Sequence, residues 1–260
     1  MLAPYFVKLD KSDLSSKLAL PMRVEPYTIG SIVHVMKRGT RGLPIVRNNA
    51  DRERFKNLLF YLNDSYRDEY WERAIKNLPP FERPDSWPER KPLVNLLGWS
   101  LMPNHFHLIL QETQKGGISK FMQKLRGSMS THFNAKYNEK GSIFQSSYKG
   151  RTANLYGDEY LRLLTVYVLV KNPFELYQGG LKNAILNFEN AYRWETAYPF
   201  CSLGDFINNV DTPTMHAGLL DILFESPLEF KKFAKESLKH KLDQLLLIEK
   251  MDKSDLSKFE

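Results

Sequence analysis

Residues 93–110 read as two apolar β-strands joined by a tight turn, and no other stretch constrains the fold as strongly. Residues 93–101 are nearly all apolar, Pro103-Asn104 supplies the turn, and His105 opens the second run. On a strand, residues two apart share a face, so His105 and His107 project side by side while Phe106 points the other way. Neutral imidazoles are common metal ligands, so the pair is a candidate metal site. Taken alone, a His-x-His pair is more often two ordinary histidines on a half-exposed strand.

The rest of the chain supplies strands and helices around this hairpin. Ser31-Ile-Val-His-Val-Met36 is rich in β-branched residues and reads as a strand. Residues 37–42 follow as a basic turn with two glycines, and residues 43–46 are expected to close a second hairpin. Asn48 and Asn49 can cap a helix whose apolar stripe is Phe55, Leu58, Leu59 and Leu62. Residues 77–92 hold five prolines among charged side chains and read as an exposed connection.

Residues 120–151 change character, with seven Lys and Arg against the single acid Glu139. Phe121, Leu125, Met129 and Phe133 recur every four residues, the signature of a helix with one buried stripe. Phe133, Tyr137, Phe144 and Tyr148 lie among the charges. Such a mixture suits stacking on unpaired bases beside phosphate contacts, or equally a core with a solvated basic face. Asp158 can cap a further helix that ends at Asn172-Pro173. Residues 216–250 read as one or two amphipathic helices, and the last ten residues as a frayed end.

Composition adds bounds. The 260 residues carry 37 Lys and Arg against 30 Asp and Glu, a net charge of +7 that favours encounter with polyanions. The single cysteine, Cys201, excludes an intramolecular disulfide and a cysteine-based zinc cluster, and reads as a core residue. There is no run of about 18 apolar residues, so no membrane span is expected. Asp10 and Asp13 argue against a signal peptide, and the expected location is cytoplasmic.

Four segments, in order, resemble one family. GWSLMPNHFHLILQE is similar to the HUH motif of single-tyrosine, IS200-like transposases, specifically the group associated with repetitive extragenic palindromes (REP-associated tyrosine transposases). SIVHVMKRGTRGLPIVRNNADRERF resembles that group's opening hairpin and first helix, GSIFQSSYKGR the loop after its second long helix, and YVLVKNP its tyrosine helix. The resemblance covers roughly residues 30–205.

It implies an α+β, ferredoxin-like (RRM-like) antiparallel sheet with helices on one face. Residues 1–28 would be an irregular lead-in, 29–205 the catalytic domain and 206–260 a helical C-terminal extension. The implied activity is cutting and rejoining of single-stranded DNA near hairpins through a 5′-phosphotyrosine, with Mg²⁺ or Mn²⁺ held by His105, His107 and Asn172. Single-stranded or hairpin DNA is the implied partner, and a homodimer is compatible with it.

Tyr167 is the implied nucleophile. The family spaces tyrosine and its polar ligand by four residues, whereas Tyr167 and Asn172 stand five apart. On a regular helix that separation diverges by about 140°. Either a one-residue π-bulge brings the two together, or Lys171 faces the metal region and Asn172 only ends the helix. Tyr160 shares the face of Tyr167, and Tyr156 does so if the helix extends backward. Candidate DNA contacts are Lys37, Arg38 and Arg41, which read equally as a solvated turn, and Lys120, Lys124, Arg126 and Arg151 of the basic stretch; the resemblance implies Gln145 and Lys149 as well. His34, His132, His216 and His240 lack a spacing partner and read as structural or surface residues. Two rivals remain: a non-catalytic hairpin-binding protein derived from such a transposase, and a phosphoesterase in which the histidines activate water.

Overall fold

The computed structural model describes residues 27–153 and 157–256, with side chains at 241 and 243–256 left aside. The lead-in before residue 27, Tyr156 and the last four residues lie outside the described residues. Strand β1 (Ile32–Arg38) is followed by helix α1 (Asn49–Tyr61), strands β2 (Val94–Leu101) and β3 (His105–Glu112), helix α2 (Gly117–Tyr137) and strand β4 (Lys149–Thr152). The sheet order is β2-β3-β1-β4, antiparallel throughout. That β-α-β-β-α-β order with β1 and β3 central is the ferredoxin-like arrangement expected.

Local chemistry explains the helix starts. Asn48 caps α1, its Oδ1 accepting the Asp51 N–H at 3.0 Å, while Asp51 Oδ2 accepts the N–H of Arg47 at 2.7 Å and of Asn48 at 3.3 Å. Burial alone would raise the Asp51 pKa, but hydrogen bonds from Lys136, Tyr137 and the Arg47 N–H hold it down at about 2. Helix α2 starts on the Glu112 carboxylate, which accepts the N–H of Gly116 at 2.6 Å and of Ile118 at 2.9 Å. Phe121, Leu125, Met129 and Phe133 are all buried, as their spacing requires.

The expected second hairpin is absent. Thr40–Gly42 form one 3-10 turn with Arg41 at φ 56°, and residues 43–46 cross the end of the sheet instead of pairing along it. Ile45 and Val46 donate their N–H groups to Pro103 O at 2.8 and 3.3 Å. Both edges of β1 are already occupied, by β3 and β4, so no ladder is open to them. Gly39 permits the crossing, because a Cβ there would stand 2.1 Å from Leu43 O.

Helices cover both faces. One apolar cluster lies between the sheet and α1 and α2, and includes Val33, Val35, Phe55, Leu58, Phe106, Leu108 and Phe121. The opposite face is covered by α3 (Asp158–Val166), a π turn (Tyr167–Lys171), α4 (Gly180–Leu186), α5 (Phe188–Thr196), α6 (Leu203–Asn208), α7 (Leu219–Leu223) and α8 (Pro227–Leu256). Its cluster joins Leu97 and Ile109 of the sheet to Leu164, Leu169, Phe174, Phe206, Leu220 and Phe230. The segment read as a C-terminal extension therefore shares one core with the tyrosine helix. Residues 200–202 also close the outer edge of β2: Leu101 N donates to Phe200 O and Ser202 N to Trp99 O, each at 3.0 Å. Cys201 is buried there, as expected of a core residue. No helix among the described residues is long and apolar enough to cross a membrane.

Candidate active site

The alternation of β3 sorts its residues between the two cores. Phe106, Leu108 and Leu110 enter the cluster under α1 and α2, while Ile109 enters the cluster of the tyrosine helix. His105 and His107 therefore face the tyrosine helix, with ring centroids 5.0 Å apart. The antiparallel register sets Arg38 opposite His105, Met36 opposite His107 and His34 opposite Ile109, so these three β1 side chains share that face. His34 Nε2 lies 2.9 Å from His107 Nδ1.

Both members of the pair are bonded through Nδ1. Asn104 Oδ1 can only accept, so His105 Nδ1, 2.6 Å away, carries the proton and leaves its lone pair on Nε2. His107 Nε2 is buried and has no hydrogen-bond partner among the described residues. Burial lowers the pKa of all three histidines. His34 falls to about 4, with Arg151 adding to the effect. His107 falls further, with His34, His105 and Lys171 adding to burial. At His105, burial is opposed by Glu175 and reinforced by Arg38 and Lys171. Neutral imidazoles at neutral pH are what metal ligation requires.

Asp158 and Glu159 sit in the first turn of α3, where acids suit the helix dipole. At Tyr167 the winding widens: Asn172 N–H returns to Tyr167 O, five residues back. Pro173 accounts for this. It has no N–H to return to Leu169 O, and its ring would clash with that carbonyl in a regular turn. The Cys201 thiol instead reaches Leu169 O at 3.4 Å. The five-residue spacing is thus accommodated by a π turn.

Tyr167 is half-buried, edge-on to His107 at 5.2 Å between centroids and to His34 at 6.0 Å. Asn172 is 1% exposed, and its Nδ2 has no partner among the described residues. Lys171 Nζ stands 5.4 Å from the Tyr167 ring centroid and is paired with Glu175. Among the described residues no three His, Cys, Asp or Glu side chains gather into a metal cage. Two imidazoles and a carboxamide oxygen are donor types that fit an open site, in which ligand positions are left for a substrate oxygen.

The residues proposed from sequence for DNA contact divide by place. Arg38, exposed, and Lys149 and Arg151, opposite Met36 and His34 on β4, lie on the histidine face. Gln145 is exposed, and its N–H donates to Arg38 O at 3.0 Å. Arg41 is exposed in the 3-10 turn. Lys120 and Arg126 are exposed on α2, whose buried stripe packs on the opposite face of the sheet. Two readings are corrected. Lys37 lies on β1 rather than in a turn and is 1% exposed, with its Nζ spent on Gln145 O at 2.8 Å and Ser146 O. Lys124 likewise donates inward, to Asp64 O at 2.5 Å and Tyr66 O at 3.2 Å.

Of the aromatics weighed for base stacking, Phe133 and Phe144 are core. Tyr137 donates to Asp51 Oδ2 at 2.6 Å. Tyr160 is half-buried on α3, packed against the second core. Sequence reasoning missed His34, whose partner is 73 positions away, and Glu175, whose only signal is its i+4 spacing from Lys171.

Residues 89–169 match the family described as transposase IS200 like. No curated protein matches the chain. One solved structure, a REP-associated tyrosine transposase bound to a REP hairpin, superposes with a TM-score of 0.42 at 9% identity, covering 77% of this chain and 93% of that one. The stretch that resembles the IS200-like transposases is thus the one that carries His105, His107 and Tyr167.

Proposed function

We propose that the chain is a transposase that cuts and rejoins single-stranded DNA beside hairpins. Tyr167 is the nucleophile, and His105, His107 and Asn172 hold a Mg²⁺ or Mn²⁺ ion. The observation that carries this reading is the Tyr167 ring set edge-on to His107 at 5.2 Å, on the face that also bears His105. The ion, when bound, supplies Lewis-acid polarisation of a non-bridging phosphate oxygen.

The chain's own residues do the rest. Both histidines would ligate through Nε2, and their lowered pKa values keep them neutral at neutral pH, as ligation requires. The Tyr167 hydroxyl attacks phosphorus in line: the tyrosine O–P bond forms, the P–O3′ bond breaks, and the 3′ oxygen takes up a proton as tyrosine loses one. The products are a 5′-phosphotyrosine and a free 3′-OH, and attack by an incoming 3′-OH reverses the step without ATP. Arg38, Lys149 and Arg151 border the face and contact phosphates.

The test uses a hairpin oligonucleotide selected for binding from a randomised pool, labelled and incubated with Mn²⁺ and wild-type, Tyr167→Phe or His105→Ala protein. A protein–DNA adduct on a denaturing gel in the wild type alone is the expected result. Retardation without any adduct would establish a hairpin-binding protein instead, and cleavage that survives Tyr167→Phe would establish a phosphoesterase.

A further inference from the structure

We infer that His34 is a positioning residue for the metal site: it accepts the Nδ1–H of His107 and so fixes the His107 lone pair on Nε2. The inference rests on the proposed metal-binding reading. His34 and His107 lie diagonally across the β1–β3 ladder, because His34 pairs with Ile109 and Met36 with His107. From there His34 Nε2 reaches His107 Nδ1 at 2.9 Å, with the two rings 13° from parallel.

One proton lies between the two nitrogens, and its owner decides what His107 offers the site. With the proton on His107 Nδ1, its buried Nε2 is a lone pair that has no hydrogen-bond donor among the described residues. With the proton on His34, Nε2 of His107 becomes an N–H with no acceptor among the described residues, and the site loses a ligand. His105 follows the same plan: Asn104 Oδ1 holds its proton on Nδ1. Each histidine of the pair thus has its own acceptor behind it, a side-chain amide for His105 and His34 for His107. Outer partners of this kind orient imidazole ligands and set their tautomer.

Imidazole ¹⁵N chemical shifts of the full-length, metal-free protein read the tautomer directly. His107 is expected to be protonated on Nδ1, and finding its proton on Nε2 overturns the inference. Mn²⁺ titration by electron paramagnetic resonance then compares wild type, His34→Leu, His34→Gln and His105→Ala. His34→Leu is expected to weaken Mn²⁺ binding about 10- to 100-fold, with His34→Gln, which retains an acceptor, recovering most of it. Hairpin-DNA retardation in EDTA should be unchanged. Wild-type affinity in a folded His34→Leu protein overturns the role of His34 while leaving the metal reading intact. Equal Mn²⁺ affinity in wild type and His105→Ala overturns both.

Discussion

The carbonyl of Tyr167 accepts the N–H of Asn172 across a π turn, which sets these two residues one wide turn apart on the helix that packs over the histidine face. Lys171, the residue that a regular helix would put one turn from Tyr167, is instead paired with Glu175. Under the proposed function, Asn172 is the third ligand and Lys171 is not. Asn172→Ala should therefore lower Mn²⁺ affinity at least about tenfold, and Lys171→Ala should leave it within about twofold. Isothermal titration with Mn²⁺ decides the matter, and the opposite ranking would overturn Asn172 as the third ligand.

Lys37 and its neighbour Arg38 carry the same charge with different consequences. Lys37 is buried, and its pKa is lowered to about 8 by burial and then by Arg126, while Arg38 is exposed beside His105. Arg38→Ala and Lys149→Ala should each weaken hairpin binding and reduce the slope of log affinity against log salt by about 0.7 to 0.9. Lys37→Ala should leave that slope unchanged. It strips the donor from two carbonyls and should cost about 1–3 kcal/mol in urea unfolding.

Glu195 is fully buried, one of its carboxylate oxygens has no partner among the described residues, and burial raises its pKa well above the usual value near 4.5 despite the Cys201 thiol at 3.8 Å. A carboxyl raised in the folded state stabilises fully below its unfolded pKa, and that contribution is lost as pH climbs toward the folded one. Glu195→Gln keeps the shape and an acceptor but cannot ionise. Its Tm should match wild type near pH 4.5 and exceed it by about 3 °C or more at pH 8. A constant offset across that range would contradict the assignment.

Truncation after residue 205 should abolish cooperative folding. Phe206, Leu219, Leu220, Leu223, Phe230 and Ala234 occupy the same cluster as Leu161, Leu164 and Phe174. Each large apolar side chain fully buried contributes about 1.5–3 kcal/mol, so exposing this face removes more than the net stability of a typical domain. Thermal melting with a dye for exposed apolar surface tests it. A soluble fragment that melts sharply would make the C-terminal helices a detachable appendage after all.

The sequence by itself determined what depends on near neighbours. The two-residue period of a strand placed His105 and His107 on one face, the four-residue recurrence from Phe121 to Phe133 wrote the buried stripe of α2, and Asn48 marked the start of α1. The five-residue gap between Tyr167 and Asn172 left a π-bulge and a regular helix both open, and the structure takes the π turn, to which Pro173 contributes through its missing N–H. Only the tertiary structure decided the rest. His34 reached His107 because β1 pairs with β3 in one register of many, and residues 43–46 lost their place as a strand because both edges of β1 were taken. Lys37 turned inward and Lys120 fell behind the sheet for the same reason. A side chain's sign is written in the sequence, but which face of a sheet it borders is fixed only when strands distant in the chain come together.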